Sequence, residues 1–313
     1  MSPARDAKFF STDHEYILVY SKNKESLTTH FLPRTEKNNS YYKNPDNDPR
    51  GPWNSAAYTC NKSRDERPNL YYPITNPYTG EKIFPKESAV WAYSEETYQQ
   101  HVRDNLLYWG VNGEAKQPRK KAFLSEVGDV VPRSVWSHSD VGSTQKATME
   151  NNTIFNMRAF SYPKVSTLVE RIIQIASDKD SIVLDSFAGS GTTAHAVLNM
   201  NKSDGGNRKF ILVEMGDYAD TITAERVKRV INGYGEGKNA VEGTGGNFSY
   251  YELGNPLFMQ DGTINDEVDI TEVRKYVWYT ETNGIEYKED IQEKYFLGSY
   301  NDTAYYFYYC LLY

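Results

Sequence analysis

The stretch SIVLDSFAGSGTTAHAVLNM, residues 181–200, decides the fold. Ile182, Val183 and Leu184 form a short apolar run, the composition of a strand buried on both faces. Asp185 ends it. Gly189, Ser190 and Gly191 then permit a turn that other residues would hinder, and Thr192 or Thr193 is placed to cap the helix that follows. A strand, a Gly-rich turn and a helix N-terminus bring backbone N–H groups and the positive end of a helix dipole to one point. Such a corner holds an anionic or strongly polar ligand at the carboxyl edge of a parallel sheet.

The residues narrow the choice of ligand. A dinucleotide fingerprint places a third glycine where Ala194 stands, a tolerated variant, so NAD is weakened and not removed. A P-loop requires Gly-Lys-Ser/Thr, and Gly191 is followed by Thr192 with no lysine. S-adenosylmethionine remains: its methionyl end and ribose need a turn without bulk, plus carboxylates to accept amino and hydroxyl protons. Asp185 is one such carboxylate. FILVE, residues 210–214, reads as the next buried strand. An acid roughly 20 residues beyond the glycine turn, at the tip of the second strand, is where a ribose is held, and Glu214 stands in that place. The plainer reading is that these acids only end strands.

DSFAGSGTT, residues 185–193, resembles the cofactor motif of the amino-methylating DNA methyltransferases, in particular the adenine-specific Mod subunit of type III restriction-modification systems. The resemblance implies a Rossmann-like α/β core that binds S-adenosylmethionine through Asp185, Phe187, Gly189, Gly191, Thr192 and Glu214. It implies an inserted target-recognition domain, a C-terminal α/β extension and duplex DNA as substrate. The implied partners are an N-terminal Mod half, a second Mod subunit and a restriction (Res) subunit.

With 35 Lys and Arg against 42 Asp and Glu, a net charge of −7 argues mildly against nucleic acid, although a local basic face can sit on an acidic protein. Cys60 and Cys310 make neither a disulfide framework nor a metal cluster, which suits a reducing, cytoplasmic setting. No apolar run approaches the roughly 18 residues of a membrane span, and there is no signal peptide. The 26 tyrosines can stack on bases, but amphipathic surface and core is the plainer use.

Taken in order, residues 1–23 carry an apolar strand at 14–20 just after Phe9 and Phe10. In the resembling family an aromatic in this region packs the flipped target base, so either phenylalanine carries that reading beside ordinary core packing. Residues 24–155 are turn-rich and poorly periodic, where the family keeps its recognition domain. Ser94 caps a helix to about residue 105. Lys116, Arg119, Lys120 and Lys121 form the densest basic cluster, with Lys62, Arg64 and Arg67 a second; the last three of the first cluster are the candidate DNA contacts. Residues 156–235 form the cofactor core. FSYPK, residues 160–164, resembles the family segment beside the methionyl group, which implicates Lys164, with Val165 replacing a second proline. A helix over 167–177 presents Leu168, Ile172 and Ile175 to the sheet with Ile173 and Ala176 beside them, and a helix over 224–231 places Val227, Val230 and Ile231 on one side. The Gly-rich tract 233–246 reads as a linker. Residues 236–313 form the C-terminal extension, with a strand and turn at 247–258 and a strand-like run near the end.

Adenine methylation needs a group that accepts the amino hydrogens and steers N6 toward the methyl, and a pocket for the flipped base. The family uses an Asp-Pro-Pro-Tyr type motif for this, and no Pro-Pro pair occurs in the sequence. No catalytic residue is therefore assigned, and the chain is expected to be the C-terminal portion of such an enzyme, inactive alone. The rival readings are a non-catalytic DNA- or subunit-binding module and an unrelated NAD-binding enzyme.

Overall fold

The computed structural model describes residues 9–10, 14–288 and 294–309. The chain is α/β and divides into two compact units, Met1–Asn247 and Phe248–Tyr313. Among the described residues no helix is long and apolar enough to cross a membrane.

In the first unit, β1 (Trp53–Ala57), β2 (Leu107–Tyr108) and β3 (Arg119–Phe123) form an antiparallel sheet in the order β1-β3-β2. Two short ladders, Thr59–Cys60 with Val90–Trp91 and Ile74–Thr75 with Lys82–Ile83, lie around an aromatic core of Tyr58, Tyr72, Trp91, Tyr98 and Trp109. Several tyrosines of this block are thus core. Helix α1 (Glu95–Arg103) starts at Ser94, whose hydroxyl accepts from the Thr97 N–H, and it buries Tyr98 and His101.

Strand alternation splits the densest basic cluster, and this corrects one expectation. Lys121 points inward, 2 % exposed, with Nζ 2.5 Å from Asp46 and 2.8 Å from Asp48. A buried ammonium neutralised by two carboxylates cannot meet a DNA phosphate.

The second half of the unit follows. Helices α2 (Thr144–Phe155) and α3 (Ser166–Ala176) lead into β4 (Ile182–Asp185), α4 (Thr192–Asp204), β5 (Lys209–Leu212) and, after a π turn at Ala219–Ala224, α5 (Glu225–Asn232). Strands β4 and β5 pair in parallel, with Val183 opposite Phe210 and Asp185 opposite Leu212. Val183 and Phe210, with Val169 of α3, pack against Ile173 of α3 and Ala196 and Val197 of α4. The core-facing side of α3 is therefore centred on Val169 and Ile173, displaced from the Leu168–Ile172–Ile175 face expected. Burial on both faces is also corrected. Ile182 and Leu184 are each 64 % exposed and Ile211 is 50 % exposed, because no described element covers that side of the pair.

Residues 14–20 are not a strand. They have no ladder partner, and Leu18, Val19 and Tyr20 lie in solvent. Extended chain needs a neighbour for its backbone groups, and no strand of the described residues is paired with it. The Gly-rich tract is not a free linker either. It forms a hairpin of β6 (Gly233–Tyr234) and β7 (Val241–Glu242), held to α4 by Lys202, which donates to Glu242 and to the Gly243 carbonyl. Its glycines make the turn possible: a Cβ on Gly235 would sit 2.2 Å from the Asn239 carbonyl oxygen.

In the second unit, α6 (Ile270–Glu281) packs on a hairpin of β8 (Phe296–Tyr300) and β9 (Thr303–Tyr306). Arg274 donates to the carbonyls of Lys294 and Phe296. Residues 247–258 contain no strand, only an isolated bridge from Phe258 to Ile264, and Cys310 lies outside the described residues.

Candidate cofactor-binding site

The turn after β4 is built by reciprocal hydrogen bonds between two strand tips. The Val213 N–H donates to the Asp185 carbonyl and the Ala188 N–H to the Val213 carbonyl. The Asp185 carboxylate accepts from the Phe187 N–H at 3.1 Å and from the Thr193 hydroxyl at 2.5 Å, which ties the start of the turn to the first turn of α4. Neither threonine is the N-cap. Gly191 holds that place at φ +77°, and a side chain there would bring a Cβ to 2.9 Å from the Thr223 carbonyl oxygen. Only glycine meets both demands.

Glu214 closes the turn from the second strand. Its two oxygens accept from the N–H groups of Gly189 at 2.7 Å and Gly216 at 2.8 Å. The bond from Gly216, ahead of that from Gly189, holds this carboxyl below its ordinary value, so it is an anion at neutral pH. The Thr223 hydroxyl donates to the Gly189 carbonyl. Beside the turn, Phe160 and Tyr218 meet edge to face with centroids 5.3 Å apart, and Phe187 is 84 % exposed.

The structure thus brings Asp185, Phe187, Gly189, Gly191, Thr192 and Glu214 into one corner. Thr192 is buried and its hydroxyl donates to the Lys164 carbonyl, so that side chain faces the interior and offers the open side only backbone. The Lys164 ammonium pairs with Glu15 at 2.6 Å, and both side chains are largely exposed. Phe9 and Phe10 lie on the surface of the described residues at 82 % and 94 % exposure. Arg119 donates to the hydroxyl and carbonyl of Ser55, and Lys120 stands over the Tyr93 ring.

The donor set suits an adenosyl ligand with hydroxyl groups: an ionised carboxylate at a strand tip, a turn free of side-chain bulk, and aromatic faces beside it. Among the described residues no group of His, Cys, Asp and Glu is arranged to hold a metal.

The sequence reading passed over Tyr218, which hydrogen-bonds Glu214, and Arg226, which is fully buried behind the turn. The signal for Arg226 was available. It precedes Val230 by one helical turn and so shares its buried face.

Residues 1–225 match the DNA methylase (N6_N4) family. The chain is 32 % identical over 242 residues to the Mod subunit of the StyLTI type III restriction-modification enzyme of Salmonella typhimurium, covering 72 % of this chain and 36 % of that protein. It is 36 % identical over 166 residues to the type II methyltransferase M.KpnI of Klebsiella pneumoniae, covering 48 % of this chain and 38 % of the other. Against the EcoPI Mod subunit of Escherichia phage P1 the identity is 28 % over 230 residues, with 66 % and 35 % covered. The chain therefore spans little more than a third of the length of these relatives. A methylase family implies a methyl donor, and the NAD reading is set aside. The chain belongs to the DNA methylase family.

Proposed function

We propose that this chain is the cofactor-binding and target-recognition portion of a site-specific adenine N6 DNA methyltransferase of the type III modification kind, with S-adenosylmethionine as donor. The observation that carries the reading is the Glu214 carboxylate clamped on the Gly189 N–H at the tips of a parallel strand pair. In this reading β4, β5 and their helices are part of a Rossmann-like core over 156–235, residues 24–155 are the inserted recognition domain, and 236–313 are the extension. Helix α2, at the end of the recognition block, packs against α5 and β6 and so joins that block to the core.

Glu214 accepts the ribose hydroxyl protons, and Lys164 lies on the segment beside the methionyl carboxylate. Bound S-adenosylmethionine supplies the methyl group. Phe9 or Phe10 contributes to the target-base pocket, and Arg119 and Lys120 contact DNA phosphates. The sequence holds no Pro-Pro pair, so the amino-handling residues belong to another segment, an N-terminal Mod half; a second Mod subunit and a Res subunit complete the assembly.

Two measurements test this. Calorimetric titration should show binding of S-adenosylmethionine and none of NAD. Transfer of labelled methyl to duplex DNA should be undetectable for this chain alone and appear when the upstream half of a related Mod subunit is co-expressed. Robust adenine methylation by residues 1–313 alone would refute the division of labour. Binding of DNA without S-adenosylmethionine would favour a non-catalytic module.

A further inference from the structure

Arg226 is 0 % exposed, on the inner face of α5. A guanidinium keeps its charge at neutral pH, so burying it is costly unless its donors are met. Here they are met by groups of the cofactor turn and its supports. Nη1 donates to the hydroxyls of Ser190 at 3.1 Å and Thr192 at 3.0 Å. Nη2 donates to Glu150 of α2 at 3.0 Å and to His195 Nδ1 at 3.0 Å. Burial holds the His195 ring down at about 3, so the imidazole is neutral and its Nδ1 accepts. Arg226 Nε has no hydrogen-bond partner among the described residues. Glu150 in turn accepts from the backbone N–H and the hydroxyl of Ser166, at the start of α3.

The turn needs such a hold. Gly189 and Gly191 both stand at positive φ, where glycine is free and the unliganded turn would sample other shapes. On the open side the Gly189 N–H is fixed by Glu214; on the buried side the next hydroxyls are fixed by Arg226. An apolar residue could fill the same space at less desolvation cost, but it could not grip two hydroxyls of the turn.

We infer that Arg226, charge-balanced by Glu150, is a positioning residue for S-adenosylmethionine: it holds Ser190 and Thr192 so that the turn is set in its binding shape before the ligand arrives. The inference rests on the proposed cofactor. A turn ordered in advance loses less freedom on binding, so the effect is on affinity.

The test is calorimetric titration of S-adenosylmethionine into the full chain, with thermal midpoints measured on the same samples. Thr192→Val keeps the volume and removes the hydroxyl; Ser190→Ala removes the other; Arg226→Lys shortens the fork. Each should weaken binding, by about three- to ten-fold for the hydroxyl variants and at least about ten-fold for Arg226→Lys. Thr192→Ser should restore most of the affinity lost in Thr192→Val, since the hydroxyl matters and the methyl does not. Val230→Ala disturbs the same helix without touching the turn, and should lower the midpoint while keeping the affinity below it. Wild-type affinity in both hydroxyl variants would overturn the inference, as would equal weakening in Val230→Ala. If Arg226→Lys does not fold, the hydroxyl variants decide alone. A wild-type chain that binds no S-adenosylmethionine would refute the proposed cofactor, and the first titration shows that before any variant is made.

Discussion

The glycine-turn corner and the β1–β3 sheet both hold a charged side chain in place, but they use it in opposite ways. At the corner, Glu214 is held by two backbone N–H groups beside a turn that stays open to solvent. In the sheet, Lys121 is sealed with Asp46 and Asp48 and is lost to any ligand. An ion held by backbone dipoles at an edge keeps capacity for a further partner, whereas an ion balanced by another buried ion has become part of the core. Counting charges along a sequence cannot separate the two.

The sharpest way to break this comparison is to remove the buried cation. Lys121→Ala leaves the buried Asp48 with Arg50 as its remaining cation and takes the ammonium from Asp46, and should destabilise the first unit by about 1–3 kcal/mol in urea unfolding. A negligible loss would mean that Arg50 alone balances Asp48.

Acid sharpens it next. His195 is buried, with its ring held down at about 3 against an ordinary 6.5, through burial first and Arg226 second. The unfolded chain binds the proton in that window and the folded one does not. Stability should therefore be full above pH 6.5 and fall steadily as pH drops toward 3. His195→Gln should flatten that part of the profile, as followed by thermal midpoint against pH.

At the corner the effect belongs to binding. Glu214→Gln replaces one of the two acceptor oxygens by an N–H donor and should weaken S-adenosylmethionine by roughly ten- to a hundred-fold, the worth of a charge-assisted hydrogen bond. Calorimetry at unchanged affinity would take Glu214 out of the site.

The smallest effect falls on the exposed end of the basic cluster. Arg119→Ala with Lys120→Ala should weaken all DNA sequences alike, by several-fold, and lower the salt slope by about 2 if both meet phosphates. An equal slope would return both to ordinary surface.

The cofactor half was legible because its signals are local. The strand, glycine turn and helix of 181–200 lie in one run, and the acid that closes the turn ends the next strand. The β1–β3 sheet was not, because its ladder joins residues 53–57 to 119–123, and Lys121 meets Asp48 at a separation of 73 residues. The glycines of 233–246 misled for a related reason: freedom in φ serves a tight hairpin as well as a slack linker. Arg226 stands outside the apolar set Val227, Val230 and Ile231 that marks the inner side of its helix, because its charge hides a position one helical turn before Val230.

The separation of Lys121 from its acids also sets a clock. During synthesis Asp48 leaves the ribosome 73 residues ahead of Lys121, which at about 5–20 residues per second is a wait of roughly 4–15 s. Until β3 emerges, β1 has no ladder partner and the two carboxylates stay hydrated, so this sheet closes late, in one step, when its central strand arrives already carrying the counter-charge.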